Sequence, residues 1–499
     1  MGVINNARYA RSTRLHVGSI ELQPVFFILG ILLTILGIAM LGPAILDIAL
    51  NERDWREFLL SSGITVFAGL MLVASNHRRS SQLNLRQGFL LTALSWLTLS
   101  FFGGLPFVFA NDNVGMTDAI FESVSGLTAT GATILTHLEH QPPGLLLWRS
   151  LLHWVGGIGI IGMATTLLPA LRVGGMQLFR VENSDTSEHG MTRFAGLGAA
   201  ILVVYLTMTF VMIGGLLFAG LPTLEAVCLA MSAVSTGGFA NSDSSVAALP
   251  PMALWFLIGG MVLGALPFLL YVRAIRGRPE ALYRDPQVRG FLAILVVFSL
   301  VISVYHWMKS DVGFLQAITT GTFSVTSVIT TTGLVYEDYS AWGSFALLFF
   351  FMLLFFGGCT GSTTGGIKTF RFQVAFIVLS SHIRRRYLPH AVVMPTYGGR
   401  TIDDDIAVSV CLFFFAQAVT IWFFALILGL LGLDWVSAIS GSVATVCNVG
   451  PGVGAIIGPV GNYSSLSPEA KWVFSAGMLM GRLELFTMMV LLDYRFWRD

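Results

Sequence analysis

Hydrophobic positions along the 499-residue chain fall into long runs and short ones. Ten long runs, at about 24–48, 58–76, 88–110, 145–171, 195–219, 252–275, 290–307, 342–381, 406–431 and 470–494, predict membrane-crossing helices, because ~20 apolar residues span a bilayer. Four short runs remain, at about 117–129, 222–236, 314–331 and 434–448. Each ends in a small turn: Thr128-Ala129-Thr130-Gly131, Val234-Ser235-Thr236-Gly237, Thr330-Thr331-Thr332-Gly333 and Cys447-Asn448-Val449-Gly450. One such turn is ordinary loop punctuation. Four of them, each between two long helices, predict re-entrant pore helices that end in carbonyl-lined loops.

The expected fold is therefore an all-α integral membrane protein. A two-helix extension (1–80) precedes four membrane–pore helix–membrane repeats (81–190, 191–285, 286–400 and 401–499) around one pseudo-fourfold pore. Internal similarity supports the repeat: Phe121 and Ser125 precede Gly131 as Phe323 and Ser327 precede Gly333.

Composition agrees. The chain is 55% hydrophobic and 11% charged, against about 25% charged in soluble proteins. A net charge of +1 gives no reason to expect nucleic acid. The four cysteines lie in apolar stretches without paired spacing and read as structural thiols.

Charge then orients the chain. With the short runs re-entrant, 22 of the 28 basic residues fall on the side of the termini. They begin with Arg8, Arg11 and Arg14, continue through Arg78, Arg79, Arg172 and Arg180, and end with Arg495 and Arg498. Only Arg53, Arg56, Arg149, Lys309 and Lys471 fall on the other side, and Arg482 lies within a helix. This bias predicts both termini cytoplasmic. Full crossing by the short runs would erase it.

Non-helical backbone survives at membrane depth only where it lines water or is buried in protein. Glycine permits positive φ there, so four loops can present a ring of carbonyls in place of a cation's hydration shell. The candidate ion-binding residues are Thr130, Gly131, Thr236, Gly237, Thr332, Gly333, Val449 and Gly450, with potassium at the four glycines and no covalent cofactor. Each short helix aims its partly negative C-terminus at the pore.

The run 342–381 would be roughly 60 Å long as one helix, about twice the hydrocarbon core. Gly357, Gly358, Gly361, Gly365 and Gly366 break it near mid-membrane, below the third turn, where a polar loop is placed to obstruct the pore. A packing kink is the alternative. Lys368 ends this stretch as a gate residue or as a cytoplasmic flank. Arg482, mid-helix, is the other gate candidate; an ion pair with Glu122, Glu225 or Glu484 is its alternative.

At these residues the chain resembles the Trk/Ktr/HKT superfamily of potassium transporters. The resemblance rests on the four pore units, on Ser235-Thr236-Gly237-Gly238-Phe239, on Asn448-Val449-Gly450-Pro451-Gly452 and on the run from Gly357 to Lys368. The two leading helices and His153-Trp154-Val155-Gly156-Gly157-Ile158-Gly159 resemble its bacterial TrkH/TrkG branch. By motif position, Gly131, Gly237, Gly333 and Gly450 match the superfamily's filter glycines, the glycine-rich break its gate, and Arg482 its arginine beneath the filter. The resemblance implies potassium uptake across the bacterial inner membrane, a homodimer, and a cytoplasmic nucleotide-binding ring of the TrkA type.

Other motifs dissolve in context. Gly157-Ile158-Gly159-Ile160-Ile161-Gly162 fits a dinucleotide fingerprint but has no preceding strand, so helix packing explains it. Gly361 to Thr369 nearly spells a phosphate-binding loop, yet Ile367 displaces the lysine by one. His137, Glu139 and His140 read as solvated, and Asp403-Asp404-Asp405 as a helix start. No nucleophile–base arrangement appears, so an enzyme is not expected. A carrier coupled to a sodium or proton gradient remains the alternative to a channel-like pore.

Overall fold

The computed structural model describes residues 21–76, 83–110, 114–163, 190–388, 390–391 and 393–498. The end of the predicted 145–171 helix and Arg8, Arg11, Arg14, Arg78, Arg79, Arg172 and Arg180 lie outside them. Apolar helices dominate. Among the described residues, seven are long enough to cross a membrane, and two further helix pairs become spans if each bent pair is counted as one. The chain is a multi-pass membrane protein.

The N-terminal extension packs through small residues. Gly30, Gly37 and Gly69 let Gln23–Ala39 and Trp55–Ser75 approach so closely that an added Cβ at any of them would collide. Between lipid-embedded helices such close packing, more than hydrophobicity, drives association.

Four short helices, Met116–Leu127, Thr223–Val234, Phe314–Ile329 and Trp435–Val446, stand inside the bundle. They are buried along most of their length despite many Ser and Thr residues. Those hydroxyls commonly return to the carbonyl four residues back, as Ser442 does to Ala438 (2.7 Å) and Thr445 to Gly441 (2.7 Å). Such back-bonding satisfies part of the buried hydroxyl set, while Ser123, Ser125, Thr320, Thr326 and Ser437 keep buried hydroxyls without a partner among the described residues.

Two predicted spans are not continuous. The 252–275 run divides into Pro251–Ala265 and Phe268–Ile275, bent by 92°. Leu266 is extended because Pro267 follows it, and proline supplies no amide donor to continue the helix. The 470–494 run divides into Pro468–Arg482 and Leu485–Leu492, bent by 108°. Here Glu484 turns the chain at φ 57°, and its carboxylate pairs with Arg371 (2.7 Å).

The 342–381 run breaks as its length requires, into Ser344–Leu353 and Thr369–Tyr387. Between them Phe356–Gly357 pairs in parallel with Ile367–Lys368. This tiny ladder closes residues 358–366 into a strap. A second ladder joins Thr396–Tyr397 to Arg400–Thr401, so a little β structure interrupts the all-α expectation.

Candidate ion pathway

The four short helices end alike. Ala129, Thr236, Thr331 and Asn448 are left-handed, with φ of 47°, 52°, 57° and 52°. The next amide reaches back five residues in every case: Thr130 to Ser125 (2.9 Å), Gly237 to Ser232, Thr332 to Ser327 and Val449 to Ala444 (2.8 Å each). This is a Schellman closure, which usually places glycine at the left-handed position. None of the four is glycine.

The glycines come two residues later. Gly131, Gly238, Gly333 and Gly450 have φ of 85°, 94°, 77° and 95°. In the second turn the equivalent residue is therefore Gly238, one beyond the predicted Gly237, and Thr236 matches Ala129 and Thr331 instead of Thr130. The sequence Ser-Thr-Gly-Gly offers two adjacent glycines, and only the count from the helix end tells them apart.

Space explains these glycines as well. A Cβ on Gly131 would strike Gly237 O, one on Gly238 would strike Thr332 O, one on Gly333 would strike Val449 O, and one on Gly450 would strike Thr130 O. All four separations fall under 3.0 Å, which real Cβ atoms essentially never show. Each turn's glycine thus receives the carbonyl of the next turn, and the fourth returns to the first. The contacts close a ring.

One side of the ring opens into a vestibule of about 260 Å³, lined by Gly131, Gly238, Gly333 and Gly450 among others. On the other side lies a cavity of about 30 Å³ between the strap and Arg482. The strap seals that side by hydrogen bonds to three units. Thr363 Oγ1 donates to Val234 O (3.2 Å) and Gly264 O (3.0 Å). Gly365 N donates to Thr331 Oγ1 (2.7 Å), and Gly366 N to Cys447 O (2.7 Å). Of the five glycines expected in the gate, Gly361 and Gly366 need their conformational freedom, at φ 79° and 63°.

A family model described as "TrkH: Cation transport protein" matches residues 56–495. The chain belongs to the TrkH family of cation transport proteins. It is 44% identical over 480 residues to "Trk system potassium uptake protein TrkI" of Halomonas elongata, covering 95% of this chain and 97% of that protein. It is 34% identical over 485 residues to "Trk system potassium uptake protein TrkH" of Escherichia coli K12, covering 95% and 98%. The crystal structure of the potassium transporter TrkH from Vibrio parahaemolyticus superposes with a TM-score of 0.89 at 31% identity, over 96% of this chain and 100% of that one.

In this TrkH-family chain Arg482 is buried and donates from Nη2 to Thr363 O (2.8 Å). It forms no ion pair with Glu122, Glu225 or Glu484. Glu484 holds Arg371, and Glu122 holds Arg149. Lys368 is buried too, with Nζ on Thr364 O and Thr364 Oγ1 (3.2 Å to the latter), so it is no solvated flank residue. Both cations line the small cavity below the ring.

The Arg149–Glu122 pair was not legible as a site. Arg149 Nε meets Glu122 Oε1 at 2.8 Å, both fully buried. Nη1 donates to Ala240 O (2.8 Å) and Nη2 to Thr133 Oγ1 (3.1 Å), while the guanidinium lies 4.1 Å over Phe239. His153 completes the bracket between Gly126 O (2.7 Å) and Phe239 N (3.1 Å). Lys471, expected on the side opposite the termini at the start of the 470–494 helix, is buried and pairs with Asp118 (2.7 Å). Glu139 accepts from Ser242 Oγ (2.6 Å) and Asp243 N (3.0 Å), and groups of three or more metal-ligating side chains are absent among the described residues. Of the glycines in the 157–162 motif only Gly157 packs closely, against Tyr205 and Ser235. An added Cβ on Gly159 would meet Trp96 at ordinary distance and one on Gly162 open space, while the tightest approach, to Leu127 O, is made by Gly156 just outside the motif.

Proposed function

We propose that this protein takes up potassium across a bacterial inner membrane through a channel-like pore, with both termini cytoplasmic. The observation that carries the reading is the closed ring of Thr130, Gly237, Thr332 and Val449 carbonyls against four glycines. Carbonyl oxygens at fixed spacing replace the hydration shell of a cation. The names of the relatives point to potassium as that cation. Residues 358–366 act as the gate, and Lys368 and Arg482 keep cations scarce beneath the ring while the strap is in place. A homodimer and a cytoplasmic nucleotide-binding ring of the TrkA type are the expected assembly, and no catalytic chemistry is assigned.

Growth rescue of a potassium-uptake-deficient bacterium at low external potassium tests this directly. Rescue is expected. Failure with confirmed membrane expression would refute it. A gradient-coupled carrier is the second reading, favoured by the broken helices at Leu266-Pro267 and Leu483-Glu484, since carriers build ion sites from discontinuous helices. Proteoliposome flux with sodium and proton gradients imposed separately distinguishes the two.

A further inference from the structure

The four left-handed residues behind the ring are not equally strained. Asn448 is a type that tolerates this conformation, and Ala129 has only a methyl group. Thr236 and Thr331 are β-branched, for which a positive φ is a genuine outlier that persists only where the surroundings enforce it. These two are also the residues whose hydroxyls meet the strap. Thr331 Oγ1 accepts from Gly365 N (2.7 Å), and Thr236 Oγ1 lies 3.1 Å from Thr363 Oγ1. Ala129 has no side chain that can reach it. Asn448 is secured elsewhere, its Nδ2 donating to Thr130 Oγ1 and Met478 O (2.9 Å each).

Each threonine stands directly before a ring carbonyl. Gly237 comes after Thr236 and Thr332 after Thr331, and both supply oxygens to the ring. Rotation at either threonine therefore turns a ring oxygen.

We propose that Thr236 and Thr331 are positioning residues that tie ion selectivity to the strap: its hydrogen bonds hold both residues left-handed, so displacing it lets turns 2 and 3 relax and lowers discrimination between potassium and sodium. This rests on the proposed uptake of potassium. Among the described residues turn 1 has no bond to the strap, and turn 4 loses only the bond from Gly366 N to Cys447 O while Asn448 keeps those to Thr130 and Met478. Gate and filter are then one device on two sides of the ring.

The test uses full-length protein in proteoliposomes, comparing Thr331→Val, Thr331→Ser and Thr363→Val with wild type. Potassium flux and the potassium-to-sodium permeability ratio, from reversal potentials, are both read. Thr331→Val keeps the shape and removes the hydroxyl; it should raise flux and lower the ratio, each by about two- to tenfold, the scale of one hydrogen bond. Thr331→Ser should keep the wild-type ratio. Thr363→Val should move both quantities in the same direction as Thr331→Val, and it supplies the answer if Thr331→Val does not fold. Raised flux with an unchanged ratio overturns the proposal, because the strap would then be a plug only. Wild-type vesicles that pass no potassium overturn the uptake reading instead.

Discussion

The seam between the first two turns and the seam between the last two are built on opposite plans. At the first, Arg149, Glu122 and His153 tie the exit of turn 1 to the exit of turn 2 through buried side chains. None of these bonds involves the strap. At the other, among the described residues, no hydrogen bond joins turn 3 directly to turn 4. The polar ties run through the strap, to Thr331 and to Cys447. One seam carries a bracket independent of the strap, although turn 2 also meets the strap at Thr236; the other is tied through the strap alone. Under the proposed gating role, the second seam is the one that opening would loosen most.

The largest effect should come from breaking the bracket. Arg149→Leu leaves Glu122 charged, buried and without its cation, which costs about 3–5 kcal/mol. Thermal unfolding of the detergent-solubilised protein should show a large loss, and Arg149→Leu with Glu122→Leu should recover most of it. The recovery is incomplete because Glu122 also accepts from Ile134 N (2.9 Å) and Thr133 Oγ1 (3.0 Å). A single variant as stable as wild type would remove the contrast between the seams.

Breaking the other seam should spare the fold and change transport. Deleting residues 361–365 removes the strap's bonds to Thr331 and Thr363's bonds to Val234 and Gly264. Potassium flux in proteoliposomes should rise by about tenfold, a change worth ~1.4 kcal/mol. Unchanged or lower flux in a deletion that folds normally would mean that the strap does not limit passage.

Much of this plan is visible in the sequence, and what is hidden has physical reasons. Helix lengths, four short helices and a break near Gly357–Gly366 follow from bilayer thickness and from glycine's cost in a helix. The register of turn 2 does not follow, since two consecutive glycines satisfy the same motif and the deciding amide bond from Gly237 to Ser232 is a matter of geometry. The bend at Leu266-Pro267 is written in the sequence as a proline within an apolar run. The bend at Glu484 is not, because a glutamate at positive φ has no local signal. The bracket escapes because charge counting sorts residues only by side of the membrane, and Arg149, near the outer end of its helix, counts as one more outer charge unless its partner, 27 positions away, is known. Arg482 stands out as a costly charge within an apolar helix, but its carbonyl partner Thr363 lies on the strap, which no spacing rule connects to it.

The smallest effect belongs to the rim of the first seam. Glu139 accepts from Ser242 Oγ and Asp243 N, joining the loop after turn 1 to the loop after turn 2. The Ser242 hydroxyl, followed by backbone donors, holds its carboxyl below the usual carboxylate range. The group is solvent-exposed, so Glu139→Gln should cost no more than about a few tenths of a kcal/mol at neutral pH. The sign with pH is fixed by that depressed value. Stabilisation is complete above the unfolded-state pKa and is lost as pH falls through the lower folded-state pKa, where the carboxyl is protonated in both states. The difference in unfolding temperature between wild type and Glu139→Gln should therefore be small at pH 7 and vanish in acid. A difference that grew on acidification would mean that Glu139 is protonated in the native loop, and the rim would then belong to a different network from the bracket beneath it.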